Sequence, residues 1–294
     1  MKRHLIIGLF LLVNSFMASA QKEYRLAKSN GHLRLNVIGA IVEGYDGKEI
    51  IFSNQNANKD YVDTRAKGLV AVNTSGYTDN TGLGFSIVAN GQDINVNHVS
   101  ANSTDILTIK VPNGIKISIN NNNNKFYEDF IIRNIIGEIE VATNFNKIRL
   151  DNNSGPINVS TINGAVEATF GRDIKGPISI VSIYDFVDVT LPSTIKANLE
   201  MVTFYGKLYA ASEFKIVPDK IEMNKGNAQG PSTSSDNKNQ INRNTKSNSG
   251  PLLTGGYLGF GNENSGEKLK GKLNGGGIDL IIRSNNSNIY LRTK

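Results

Sequence analysis

Cysteine is absent from the 294-residue chain. Its absence excludes a disulfide framework, a thiolate nucleophile and any cysteine metal site. The lipid anchor that bacterial lipoproteins attach to a cysteine after the leader is excluded with them. Histidine is scarce: besides His4 there are only His32 and His98, far apart along the chain. His32 shares a face with Arg34 and Asn36 and reads as a solvated side chain rather than a ligand or triad member. Long apolar runs are also missing. Beyond residue 20 nothing approaches the ~20 residues that a membrane helix requires, so no span is expected in the mature chain.

Helical periodicity is nearly absent, and so are the glycine motifs of nucleotide chemistry. Gly259-Phe260-Gly261 lacks the third glycine and the following helix of a dinucleotide loop, and no phosphate loop or nucleophile elbow occurs. Gly275-Gly276-Gly277-Ile278-Asp279 imitates a calcium-binding nonapeptide, but Ile278 stands at a required glycine position and no tandem copies follow. No cofactor, no metal and no catalytic residue are expected on these grounds. The net charge of +6 falls to +4 without Lys2 and Arg3. The remaining basic residues are interspersed with acids, which leaves no basic stripe for nucleic acid.

What is present begins with a leader. Met1-Lys2-Arg3-His4, the apolar run Leu5 to Val13 and the small residues Ala18-Ser19-Ala20 form a secretory signal peptide over 1–20, with cleavage expected between Ala20 and Gln21. The mature protein is therefore expected to be exported, either to the periplasm or to the cell surface and beyond.

Alternation with period two recurs along the rest, the mark of half-buried strands, so the fold class is all-β. In a β region over 21–120 the expected strands are His32 to Val37, Lys48 to Phe52, Leu69 to Val72, Phe85 to Val88, Ile94 to Val96 and Asp105 to Val111. The last meets Pro112-Asn113-Gly114 and then Ile115, Ile117 and Ile119, as a hairpin or a corner would. About forty asparagines and the 29 glycines point to frequent turns into left-handed backbone.

From Gly137 the alternation becomes a repeat: Gly137-Glu-Ile-Glu-Val, Asn146-Lys-Ile-Arg-Leu, Gly155-Pro-Ile-Asn-Val and Gly164-Ala-Val-Glu-Ala start nine residues apart. Gly176-Pro-Ile-Ser-Ile, Asp185-Phe-Val-Asp-Val and Gly206-Lys-Leu-Tyr-Ala continue the series. Two units read as one coil of a parallel β-solenoid or β-helix of about 20 residues, with two short strands per coil and Gly or Asn at corners that need positive φ. A β-meander is the second architecture that such alternation permits. The coils occupy 121–218 and continue the N-terminal region. Residues 219–250 lack the apolar content to order and read as a disordered insertion. Residues 251–294 resume the rhythm and are expected to close the stack as a capping coil.

The segments "HLRLNVIGAIVEGYDGKEIIF", "SGPINVSTINGAVEA" and "GGGIDLIIRSNNSNIYLR" resemble the bacterial putative-adhesin domains of unknown function. The resemblance covers most of the mature chain apart from the insertion. It implies an exported β-solenoid, described as an adhesin by analogy of shape, and brings no catalytic residues with it.

Stacked coils place outward residues in columns, one strand spacing of about 4.8 Å apart. Arg149, Glu167, Asp188 and Tyr209 are expected to follow one another in such a column, with Phe186 also outward. Glu167 and Asp188 side by side would have the spacing of a retaining glycosidase pair, so a carbohydrate-active enzyme stands as an alternative. Arg149 is expected to compensate that charge, and a charged outer face is an ordinary solubility device. Phe126, Tyr127, Phe130, Phe186, Tyr205 and Tyr209 are candidates for a sugar-stacking or protein-contact surface, although packing is the ordinary role for such residues. The expected function is that of a monomeric, non-enzymatic adhesin or envelope-interaction protein that binds a surface glycan or an envelope protein, the adhesin part being what the resemblance implies. A periplasmic scaffold or sensor component without an external ligand is a further alternative.

Overall fold

The computed structural model describes residues 22–54, 64–99, 106–125, 127–219 and 266–294. The leader and nearly all of the insertion therefore lie outside the described residues. Asp219, the first residue of that insertion, is still anchored: its N–H donates to the Lys270 carbonyl.

The first strands are β1 (Glu23–Leu26), β2 (Asn30–Asn36), β3 (Ala40–Tyr45), β4 (Ile50–Asn54), β5 (Phe85–Asn90), β6 (Asp93–His98) and β7 (Leu107–Pro112). The middle of the chain supplies β8 (Gly114–Asn121), β9 (Phe130–Arg133), β10 (Ile139–Thr143), β11 (Ile148–Asp151), β12 (Ile157–Thr161), β13 (Val166–Thr169), β14 (Ile178–Ser182) and β15 (Val187–Leu191). The last are β16 (Ala197–Thr203), β17 (Leu208–Ala210), β18 (Ile216–Pro218), β19 (Glu267–Leu273), β20 (Ile278–Ser284) and β21 (Ile289–Thr293). Apart from one helical turn at Thr64–Ala66, the described residues carry no helix.

Two sheets result. One has ten strands in the order β1-β4-β7-β3-β9-β11-β13-β15-β21-β17, and the other eleven in the order β18-β19-β16-β20-β14-β12-β10-β8-β2-β6-β5. From β7 to β17 successive strands alternate between the sheets, so the neighbours of each of these strands in its own sheet are at least two strands away in sequence. Period-two sequence makes this possible. In Ile139-Glu140-Val141-Ala142-Thr143 the first, third and fifth residues are buried and the others face outward. The inward aliphatics of both sheets form one core cluster, each contributing about 1.5–3 kcal/mol on burial.

Parallel pairing dominates the interior. Among the described residues, antiparallel strand pairs occur only at the two ends: β1 with β4, β4 with β7 and β5 with β6 at one, and β16 with β19 and β18 with β19 at the other. The sheets remain open, and their edges are kept short at β1, β17 and β18, the last carrying Pro218, which limits pairing with other chains. Pro156 and Pro177 stand immediately before β12 and β14, where no ladder donor is lost.

The turns that leave β12, β14, β16 and β20 for the ten-stranded sheet share one pattern. Thr161 Oγ donates to the Asn146 carbonyl (3.4 Å) and accepts the Gly164 N–H (3.2 Å). Ser182 donates to the Gly164 carbonyl (2.9 Å) and accepts the Asp185 N–H (3.2 Å). Ser284 repeats this with the Asp185 carbonyl (3.1 Å) and the Ser287 N–H (3.1 Å), and Thr203 with the Ser287 carbonyl (2.9 Å) and the Gly206 N–H (3.1 Å). Each hydroxyl is buried, closes its own corner three residues on and binds the corner of the adjacent rung. At about 0.5–1.5 kcal/mol net per bond, the series fixes the order and register of the rungs.

Four expectations are changed or decided between alternatives. Leu69 to Val72 is not a strand: Leu69 is 74 % exposed, and only an isolated bridge joins Val72 to Thr78. Without a partner strand, alternation alone cannot make a ladder. Pro112-Asn113-Gly114 is a corner rather than a hairpin, because β7 and β8 belong to different sheets. Positive φ occurs at corner asparagines Asn134 (57°) and Asn152 (52°), but not at the repeat glycines 137, 155, 164, 176 and 206. Those glycines answer to crowding, since a Cβ at Gly164 would lie 1.8 Å from the Asn146 carbonyl oxygen.

The fourth concerns the chain ends. β20 pairs with β14 on one side and β16 on the other, and β21 lies between β15 and β17. The closing strands are thus interior, and the end of the stack is made by β16 to β19. β2 and β3 are interposed in the same way, β2 between β6 and β8 and β3 between β7 and β9.

Candidate functional site

The outer face of the ten-stranded sheet brings together Arg149, Glu167 and Asp188. Arg149 is the register partner of Glu167, and Glu167 of Asp188. Tyr209 does not follow Asp188, because β21 is interposed: Asp188 opposes Tyr290, and Tyr290 opposes Tyr209. The Tyr290 and Tyr209 rings stack, with centroids 5.3 Å apart and planes 9° from parallel. Phe186 meets the Tyr290 edge at 6.4 Å. Arg292, two residues further along β21, lies 5.2 Å from the Tyr290 ring centroid.

Glu167 and Asp188 are both paired with cations. Lys147 donates to Glu167 at 2.6 Å and Arg149 at 3.3 Å. Arg292 Nε lies 2.9 Å from both Asp188 oxygens. Burial pushes the Glu167 carboxyl up, but Lys147 and then Arg149 outweigh it and hold the group below its ordinary value. A glycosidase acid needs the opposite shift, a carboxyl that stays protonated near neutrality.

The lowered pKa fixes a sign. Glu167 stabilises the fold at pH values above the unfolded-state pKa, and that contribution is lost as the pH falls through the folded one. Glu167→Gln is therefore expected to be less stable than the parent at pH 7, by at most about 1 kcal/mol for so exposed a pair, with a smaller deficit at pH 3. Thermal melts at the two pH values check this. An unchanged deficit in acid would remove the ion pairs as its cause.

The remaining sequence candidates separate. Phe130 is fully buried core, and Phe126 lies outside the described residues. Tyr127 and Tyr205 are exposed. His32 is half-buried with its Nδ1 3.8 Å from Asp93, and burial followed by Arg34 lowers its pKa. His98 is not near it; its ring packs edge-on against Phe85 at 4.5 Å. No cluster of three or more His, Asp or Glu among the described residues suits a metal ion.

Sequence reasoning missed Tyr290 and Arg292, which complete the aromatic and ionic patch. A signal was there: Ser284-Asn-Asn-Ser287-Asn-Ile-Tyr290 spaces its hydroxyl and tyrosine as Thr203-Phe-Tyr-Gly206-Lys-Leu-Tyr209 does.

Two solved structures are similar to the chain. One is titled a "putative cell adhesion protein" from Clostridium sporogenes, 11 % identical with a TM-score of 0.41, the alignment covering 93 % of this chain and all of that one. The other is titled a "putative adhesin" from Bacteroides fragilis, 8 % identical with a TM-score of 0.34, covering 92 % of this chain and 95 % of that one. No protein-family model and no curated protein matches the sequence. Among the described residues, no helix is long and apolar enough to cross a membrane.

Proposed function

We propose that the chain is an exported, non-enzymatic β-solenoid that binds a glycan of the cell surface or envelope on the outer face of its ten-stranded sheet. The alternation of strands between two sheets, with neighbours 18 or 21 residues apart, supports the solenoid reading. The observation that carries the binding reading is the stacked pair Tyr209–Tyr290, with Tyr209 47 % exposed beside the Arg292–Asp188 ion pair. Flat rings flanked by oriented polar groups suit the apolar face and hydroxyl rim of a sugar. The paired state of Glu167 and Asp188 favours binding over hydrolysis, because each acid is already committed to a cation. Export rests on the leader sequence.

Tyr209→Ala combined with Tyr290→Ala tests the site on a glycan array. At about 0.5–1.5 kcal/mol per aromatic contact, the double variant is expected to lose roughly 5- to 150-fold in affinity for any glycan the parent retains. Undiminished binding places the site elsewhere, and release of reducing ends by the parent protein would restore the enzymatic reading.

A further inference from the structure

The corners leading into the ten-stranded sheet carry a second row of side chains, beside the face just described. Residue offsets between neighbouring rungs are the same before and after the corner. They are 18 for Thr143 to Thr161 and for Ile148 to Val166, and 21 for Thr161 to Ser182 and for Val166 to Val187. They are 102 for Ser182 to Ser284 and for Val187 to Ile289, and 81 for Thr203 to Ser284 and for Leu208 to Ile289. Corner residues are therefore in register too, and backbone bonds such as Asn163 N–H to the Asn144 carbonyl and Asn286 N–H to the Ile183 carbonyl tie them rung to rung.

The row reads Phe145, Asn163, Tyr184, Asn286, Tyr205, and Tyr127 extends it by stacking on Phe145 at 5.4 Å. From Phe145 to Tyr205 aromatic and asparagine side chains alternate, so Phe145, Tyr184 and Tyr205 recur every second rung, about 9.6 Å apart. Tyr184 is 59 % and Tyr205 81 % exposed. Core packing does not account for rings so open to water, and burial is not what spaces them.

We propose that this ridge binds an extended chain of equatorially linked pyranoses lying along the stack, an inference that rests on the glycan-binding reading above and adds a ligand class to it. Such a chain advances by close to one strand spacing per sugar, and each sugar is turned half over relative to the last. The same sugar face therefore returns every second rung, in step with the rings. The intervening Asn163 and Asn286 amides meet the hydroxyls of the sugars that present the other face, as donors and acceptors. From Phe145 to Tyr205 the ridge spans about 19 Å, which matches roughly five sugars.

The test uses the mature protein with soluble cello- and chito-oligosaccharides of two and six sugars, measured by titration calorimetry. Affinity is expected to rise at least about tenfold from dimer to hexamer in the parent, and Tyr184→Ala to abolish that rise while Tyr184→Phe retains it. Circular dichroism confirms that the variants fold. A hexamer that binds no better than the dimer, or that is indifferent to Tyr184→Ala, overturns the ridge. If its binding instead answers only to Tyr209 and Tyr290, the outer-face reading survives. Binding of neither oligosaccharide series also overturns the ridge, whereas the glycan array decides the outer face independently.

Discussion

Gly164→Ala is expected to lower the thermal midpoint by roughly 10 °C, following a loss of about 3 kcal/mol or more. The added Cβ would stand 1.8 Å from the Asn146 carbonyl oxygen, 2.5 Å from its carbon and 2.9 Å from Thr161 Oγ. None of these can yield cheaply. Asn146 is fully buried and its amide donates to the carbonyls of Ile38 and Glu128, while its carbonyl receives the Thr161 hydroxyl. Relief therefore requires two rungs to separate. Gly275→Ala is the control, since its φ of 92° costs a side chain strain but nothing lies within 4 Å. That change is expected to cost about 1 kcal/mol. If the two variants melt together, crowding between rungs is not what selects glycine at 164.

That distinction marks how far the sequence could be read. Alternation within Ile139-Glu-Val-Ala-Thr143 and the recurrence of glycine-led units exposed the strands and the two-strand period, because inward burial and rung contact act on every repeat alike. The role of the glycines is not legible in the sequence, since a positive φ and a close approach between rungs both select glycine. β16 is not legible in the repeat because Ala197-Asn-Leu-Glu-Met-Val-Thr203 lacks the glycine, asparagine or aspartate that leads the other units. Leu69 to Val72 was mistaken for a strand because alternation reports a compatible pattern and says nothing of a partner.

The candidate site divides along the same line. Arg149, Glu167 and Asp188 were placed correctly as neighbours because their rungs are consecutive in sequence. Tyr209 was misplaced by one rung because a distant segment lies between it and Asp188. Nothing local in 185–210 announces that gap. Thr161, Ser182 and Thr203 recur at a constant 21 residues, as though the stack ran through them without interruption.

This continuity leads to the second large effect: a chain ending at Gly276, without β20 and β21, is expected to fold with one rung fewer. β14 and β16 both pair with β20 at an offset that relates them by 21 residues, and β15 and β17 are related through β21 by the same 21. With the rung removed, both sheets can therefore close in one register, with Ile180 beside Met201 and Val187 beside Leu208. Thr203 would then donate to the Asp185 carbonyl that Ser284 vacates. The connection at 192–196 has as many residues as that at 152–156, which joins β11 to β12 and crosses a single rung. The loss is still severe. Leu280, Ile282, Ile289 and Leu291 are all buried, and at about 1.5–3 kcal/mol each their removal sacrifices roughly 6–12 kcal/mol of gross burial. The absence of native cysteine allows a clean test with Val181→Cys and Val202→Cys, which both oppose Arg283 in the full chain. Two strand spacings, about 9.6 Å, prevent a disulfide there, whereas one spacing of about 4.8 Å permits it. Cross-linking only in the shortened chain, with its strand signal retained in circular dichroism, is the expected result. A shortened chain that loses its strands instead would show that the interposed rung holds the two flanks in their fold, rather than occupying a stack able to close without it.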